Sequence, residues 1–157
     1  TQFTYFQQCG GVDLDLVPAE LTYGLERLAA FLQVKDSVYD IDWTPQVKYG
    51  DVRFEDELQY SVYNFEMADI DTLWKLFGLH EGEAQRLLGL YAKHTEKPRF
   101  PLLPTYDHVL KCSNLFNTLD ARGAISVTER VGVIARVRKL AVGVAEAWMD
   151  QHAEVGA

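Results

Sequence analysis

Hydrophobic and polar positions change rhythm twice along this chain. Residues 1–8 alternate, and so do residues 19–23, and both runs are rich in β-branched or aromatic side chains. A period of two predicts strands. Cys9-Gly10-Gly11 ends the first run, and residues 12–18 form a connection closed by Pro18. Residues 24–33 turn to helical spacing. The two strands are predicted to pair antiparallel, and a pair of strands alone is not a stable unit. Residues 34–54 hold Pro45, Gly50 and many aromatics, and read as irregular with short strands.

From Glu55 onward the apolar period is helical. Residues 55–69 and 71–94 support two helices, with an interruption near Gly78 and Gly82. Residues 97–104 carry Pro98, Pro101 and Pro104 and read as a rigid extended linker. Residues 105–119 form a third helix, and Asp120-Ala121-Arg122-Gly123 a turn. Ser126 opens the longest helix. Glu129 stands three residues on, the spacing of a capping box, in which each side chain satisfies the other residue's free N–H. Val133, Val137, Leu140, Val144 and Trp148 are its predicted buried stripe. Tyr60, Tyr63, Phe65, Trp74 and Phe77 are read as core rather than as a base-stacking platform. The pattern predicts an α+β chain: a β-containing piece over residues 1–54, then a helical region over residues 55–157.

Composition narrows the function classes. Of 157 residues, 48% are hydrophobic, which fits a globular chain and not a disordered one. No apolar run approaches the roughly 20 residues of a membrane span. No secretory leader is visible, and Thr1 is not an initiator methionine, so the chain is expected to begin inside a longer protein. The two cysteines, Cys9 and Cys112, lie far apart and suit a reduced, cytoplasmic protein. His80, His94, His108 and His152 show no metal-ligand spacing, and there is no CxxC, so no structural metal site is predicted. A formal charge of −8 argues against non-specific nucleic-acid binding by this chain alone. Its acids concentrate between Asp40 and Asp71, where only Lys48 and Arg53 oppose them. A solvated acidic face explains this; a surface that meets a basic partner is the functional alternative. Arg130, Arg136, Arg138 and Lys139 on the last helix read as a solvated or interface face.

Alternation sorts the strands into faces. Gln2 and Thr4 share one side of the first strand with Phe6, and Phe3 and Tyr5 share the other. Glu20, Thr22 and Gly24 share one side of the second, and Leu21 and Tyr23 the other. With the apolar sides turned to the helix, the polar sides meet as a pocket floor. One carboxylate among neutral donors and acceptors suits the ammonium of a small zwitterion. A solvated sheet face is the alternative. Arg27 falls in the first turn of the next helix, where the helix dipole prefers anions. A cation there invites a phosphate, which guanidinium grips in a bidentate way. A salt bridge to Glu26 or a nearby aspartate would account for it equally. No Gly-x-Ser-x-Gly and no Walker-type phosphate loop is present.

The run Glu20-Leu21-Thr22-Tyr23-Gly24-Leu25-Glu26-Arg27-Leu28, with Thr1-Gln2-Phe3-Thr4-Tyr5-Phe6-Gln7-Gln8 before it, resembles the third signature motif of class II aminoacyl-tRNA synthetases. Asp36-Ser37-Val38-Tyr39-Asp40, Tyr49-Gly50-Asp51-Val52, Tyr63-Asn64-Phe65-Glu66 and Leu119-Asp120-Ala121-Arg122-Gly123-Ala124-Ile125-Ser126-Val127-Thr128-Glu129-Arg130 extend the likeness over nearly the whole chain. Together they resemble the α subunit of bacterial α2β2 glycyl-tRNA synthetases. The resemblance implies a class II antiparallel sheet flanked by helices, then a helical C-terminal region. It implies activation of glycine by ATP with Mg²⁺ to glycyl-adenylate, then transfer to tRNA(Gly), with an α–α dimer and a β subunit that does most of the tRNA recognition. It makes Arg27 the catalytic, ATP-contacting arginine, with Gly24 beside the ATP. It places Gln2, Thr4, Glu20 and Thr22 around glycine and the adenylate. The family's first two motifs lie upstream of the matched part. The chain is therefore expected to be a C-terminal half that lacks the second-motif arginine and is inactive alone. The competing expectation is a non-catalytic helical assembly module derived from such an enzyme.

Overall fold

The computed structural model describes residues 2–9 and 12–153. Thr1, Gly10 and Gly11, which belong to the predicted first strand and the turn after it, lie outside the described residues. The fold is α+β and divides into two compact units, Thr1–Tyr63 and Asn64–Ala157. The composition shift near residue 54 falls inside a helix of the first unit.

In the first unit, β1 (Gln2–Tyr5) pairs antiparallel with β4 (Ala19–Thr22). The predicted first strand is broken after Tyr5 and resumes as β2 (Gln8–Cys9). Part of the predicted connection is itself a strand, β3 (Val12–Asp13), which pairs with β2. Phe6 N–H donates to Pro18 O at 3.0 Å, and Leu14 N–H to Gln7 O at 2.9 Å. These two bonds join the short ladders into one bent hairpin. The extra residues on the returning side, 15–17, are taken up as a bulge.

Helix α1 (Leu25–Leu32) follows β4. It does not cover the apolar side of the sheet: Phe3, Tyr5, Leu21 and Tyr23 are all more than half exposed. It packs instead on the short 3₁₀ turn Val38–Asp40. Between this turn and the next helix, Asp42 and Lys48 form an isolated antiparallel bridge. Helix α2 (Tyr49–Val62) starts well before residue 55. The Asp51 carboxylate accepts from Lys48 N–H at 2.8 Å and satisfies a free donor at the helix start. Gly50 explains why helix and turn meet: a Cβ there would lie 2.9 Å from Tyr39 O. A π-helical turn, Tyr63–Met67, follows α2.

The second unit is a three-helix bundle of α3 (Ile70–Tyr91), α4 (Leu102–Ala121) and α5 (Val127–His152). α3 runs unbroken through Gly78 and Gly82, because burial of Leu73, Phe77, Ala84, Leu87 and Tyr91 along one face outweighs the low helix propensity of glycine. Asp69 caps it, accepting from Thr72 N–H at 2.8 Å. The predicted linker is largely structured. Lys97–Arg99 is a 3₁₀ turn, and α4 begins at Leu102 with Pro104 in its first turn, where no N–H is needed.

The stripe of α5 buries Val133, Leu140 and Val144, with Val137 partly buried, but Trp148 is half exposed and Ala147 takes the inner place. Of the predicted aromatic core, Phe77 is fully buried and Trp74 packs against it edge-on at 5.7 Å. Tyr60, Tyr63 and Phe65 are exposed. The first two sit where α2 runs into the π turn, elements that bury no residue at all. Ser126 and Glu129 form the capping box: Glu129 N–H donates to Ser126 Oγ at 3.2 Å, and Ser126 N–H to Glu129 Oε2 at 3.0 Å.

Candidate functional site

The register of β1 and β4 decides which side chains meet. Gln2 stands opposite Thr22, and Thr4 opposite Glu20. All four therefore lie on one face, as cross-strand pairs about 4.5–5.5 Å apart at Cβ. Phe3 stands opposite Leu21 on the other face. Thr22 Oγ1 donates to the Glu20 carboxylate, so the acid is already oriented by its own strand. Thr4 is half-buried and the other three are exposed.

Gly24 continues the row of Glu20 and Thr22. Its backbone is extended, with φ −77° and ψ 102°, and it stands just before α1. Among the described residues no side-chain hydrogen bond caps α1 at this glycine. The stem of Arg27 folds back over Gly24: a Cβ built on the glycine would sit 3.7 Å from both Cγ and Cδ of Arg27. The arginine stem thus lies against Gly24 at the start of α1, two residues past the end of β4.

Arg27 is exposed, and among the described residues no carboxylate lies within salt-bridge reach of it. The alternative bridge to Glu26 is not formed, and Glu26 accepts from Tyr49 OH at 3.3 Å. A cation, a row of neutral donors and acceptors, and one carboxylate can hold a molecule with an ammonium at one end and a phosphate at the other.

A family model described as "Glycyl-tRNA synthetase alpha subunit" matches residues 1–153 of the 157. The chain belongs to that family. As a glycyl-tRNA synthetase alpha-subunit chain, it is part of a translation ligase.

Several runs that carry the family likeness serve the scaffold. Arg122 donates from Nε to Ala68 O at 3.1 Å and from Nη1 to Phe65 O at 2.7 Å, tying the end of α4 to the Tyr63–Met67 turn. Gly123 takes φ +65° at the close of α4, a left-handed value that favours glycine. Arg130 pairs with Asp120 at 3.1 Å. Arg136 grips Glu81 with two nitrogens and lies 4.8 Å from the centre of the Phe77 ring. That contact holds Arg136 on its own subunit fold. The two opposing cations of the acidic stretch are also paired, Lys48 with Asp40 at 3.4 Å and Arg53 with Asp56 at 3.2 Å.

Contacts that sequence spacing does not disclose also emerge. His80 on α3 and His108 on α4 face each other, Nδ1 to Nδ1 at 2.9 Å. Burial first, and then His108, hold His80 below its ordinary value, as a shared N–H···N bond between half-buried rings requires. Among the described residues no group of three His, Cys, Asp or Glu converges as metal ligands. Cys112 is a free, buried thiol, pushed up to about 11 by burial, and is unreactive packing. No helix among the described residues is long and apolar enough to cross a membrane.

Proposed function

We propose that this chain supplies the wall of the glycine-activation site that faces glycine and ATP. The observation that supports the reading is the one sheet face shared by Gln2, Thr4, Glu20 and Thr22, with the Arg27 stem against Gly24 where the next helix begins. Glu20 accepts from the ammonium of glycine. Thr22 orients Glu20 and, with Thr4 and Gln2, lines the glycine and adenylate pocket. Gly24 and the N–H groups at the start of α1 border the ATP, and Arg27 grips its phosphates.

The reaction joins a carboxylate oxygen of glycine to the α-phosphorus of ATP. The bond from that phosphorus to the bridging oxygen breaks, and pyrophosphate leaves with the electron pair. Mg²⁺ enters with ATP as part of the substrate. No covalent enzyme intermediate is needed. This chain's residues orient the acid and offset charge on the phosphates, the two effects that dominate phosphate-centre chemistry of this kind. The glycyl group then passes to the 3′ end of tRNA(Gly). The net charge of −8 fits a subunit whose β partner does most of the tRNA recognition, and α is read as pairing with α in a cytoplasmic tetramer by family membership alone.

In the complete α subunit, Arg27→Ala is expected to lower adenylate formation, read by ATP–pyrophosphate exchange, by roughly 10²–10³. An unchanged rate removes Arg27 from the site. The 157-residue chain alone is expected to give no exchange. Exchange at the complete enzyme's rate would refute that part of the reading.

A further inference from the structure

Helix α1 carries Arg27 but is barely held by packing. It has eight residues, none of them buried, and Leu25, Phe31 and Leu32 are 72%, 81% and 78% exposed. A helix of this length is marginal without tertiary support. Polar contacts from one neighbouring segment, residues 41–49, supply much of that support. At the C-terminal end, Gln33 grips the backbone of Asp42 twice: Asp42 N–H donates to Gln33 Oε1 at 2.8 Å, and Gln33 Nε2 donates to Asp42 O at 3.2 Å. The side-chain amide thus mimics a strand partner. Lys35 adds an ion pair to the Asp42 carboxylate at 3.0 Å. At the N-terminal end, Tyr49 OH donates to Glu26, the neighbour of Arg27.

The gripped segment is itself fixed. Asp42 bridges to Lys48, and Tyr49 N–H donates to Ile41 O at 2.8 Å, so the segment moves with the start of α2. Ile41 is buried. Between Gln33 and Lys35, Val34 is held at φ +55°, the left-handed region, which a β-branched residue rarely adopts. Its side chain is 90% exposed and packs on little. The left-handed turn closes the end of α1, where Lys35 N–H donates to Ala30 O at 2.8 Å, and the Gln33 grip and the Lys35 ion pair flank it.

We propose that Gln33, through its double bond to the Asp42 backbone, is a positioning residue that sets the direction of α1 and with it the place of the Arg27 guanidinium. The inference rests on the role given above to Arg27. An eight-residue helix is about 12 Å long. A pivot of about 10° at its C-terminal end then moves its first turn by about 2 Å. Misplacement of about 1 Å is enough to cost catalysis heavily.

The test is a double-mutant cycle in the complete enzyme, with kcat/KM for ATP read by ATP–pyrophosphate exchange and KM for glycine and the melting midpoint read alongside. Gln33 is exposed, so its replacement removes no core packing, and the melting midpoint shows whether the chain stays folded. Gln33→Ala is expected to lower kcat/KM for ATP about tenfold and to leave KM for glycine unchanged. Gln33→Glu keeps the acceptor for Asp42 N–H and loses the donor, and is expected to fall between Gln33→Ala and the parent. In an Arg27→Ala background, Gln33→Ala is expected to change the rate less than twofold. If Arg27→Ala is impaired but Gln33→Ala is silent in the parent enzyme, or costs as much in the Arg27→Ala background as in the parent, the inference is overturned and Arg27's role stands. A fully active Arg27→Ala enzyme overturns that role and this inference together.

Discussion

Tyr91→Phe removes one oxygen from the second unit and tests how its helices are joined. Tyr91 is buried near the end of α3, and its hydroxyl reaches α5 at two points. It lies 2.9 Å from Ala147 O and 2.7 Å from Asp150 Oδ2. The single hydroxyl proton is shared between them. A hydrogen bond to a charged acceptor is worth about 1.5–3 kcal/mol, and a neutral one about 0.5–1.5 kcal/mol. The lower range applies here. The Asp150 side chain is 45% exposed and keeps its ion pair with Lys97, and the Ala147 carbonyl lies inside α5, where the helix supplies a donor. Phenylalanine keeps the ring and its edge-on contact with Phe100 at 5.2 Å.

The expected loss is therefore about 1 kcal/mol, or about 4–8 °C in melting midpoint for a cooperative unit of this size. The pH dependence is more specific. Burial first, and then Asp150, push the Tyr91 hydroxyl from 10.0 up to about 12. A raised value means that folding favours the neutral phenol. Its contribution is complete below pH 10 and is lost as pH rises through about 12. The gap between parent and Tyr91→Phe should be constant from neutral pH to about pH 9, then close and reverse in sign between about pH 10 and 12, because the shift is worth more than about 1 kcal/mol. Denaturant unfolding followed by circular dichroism across that range measures it. A variant as stable as the parent at pH 7, or a gap that does not narrow above pH 10, refutes the reasoning.

Two further substitutions probe the helix starts. Ser126→Ala removes the Ser126 hydroxyl's contacts with the Glu129 N–H and carboxylate, leaves the bond from the residue 126 N–H, and is expected to cost about 1 kcal/mol in thermal or denaturant unfolding. Ser126 holds Glu129 below the usual carboxylate value, so the parent's advantage should be present above the ordinary carboxylate range and fade as pH falls through it. Gly50→Ala places a Cβ 2.9 Å from the Tyr39 carbonyl and 3.2 Å from Tyr39 Cβ. It should push α2 off the Val38–Asp40 turn and destabilise the first unit by about 1–3 kcal/mol, although alanine is the better helix former. A neutral or stabilising result by hydrogen exchange in that region would contradict the close approach.

Period-two and period-3.6 patterns made most elements legible in advance, and side-chain parity placed Gln2, Thr4, Glu20 and Thr22 on one face before any register was known. The capping box of α5 was equally readable, because Ser126 and Glu129 act within one turn. Misreadings arose where distant packing overrode local signals. Gly78 and Gly82 resemble breaks, but the buried face of α3 carries the helix past them. The prolines of residues 97–104 suggest an extended linker, yet Pro104 fits the first turn of α4. The early start of α2 depends on Asp51 and on contact with Tyr39, neither visible in hydrophobic period. Trp148 keeps helical phase with the stripe but lies on its rim. The grip of Gln33 on Asp42 and the meeting of His80 with His108 join residues whose spacing carries no signal.

The contact between Arg27 and a phosphate of ATP is the centre of the functional account. The most direct measurement is a crystal structure of the complete α subunit with ATP and a non-reacting glycine analogue. The Arg27 guanidinium is expected within hydrogen-bond distance of a phosphate oxygen, and the analogue's ammonium on Glu20 beside Thr22. ATP bound with its phosphates on other cations, while Arg27 points into solvent and the sheet face of Gln2, Thr4, Glu20 and Thr22 holds only water, would contradict it.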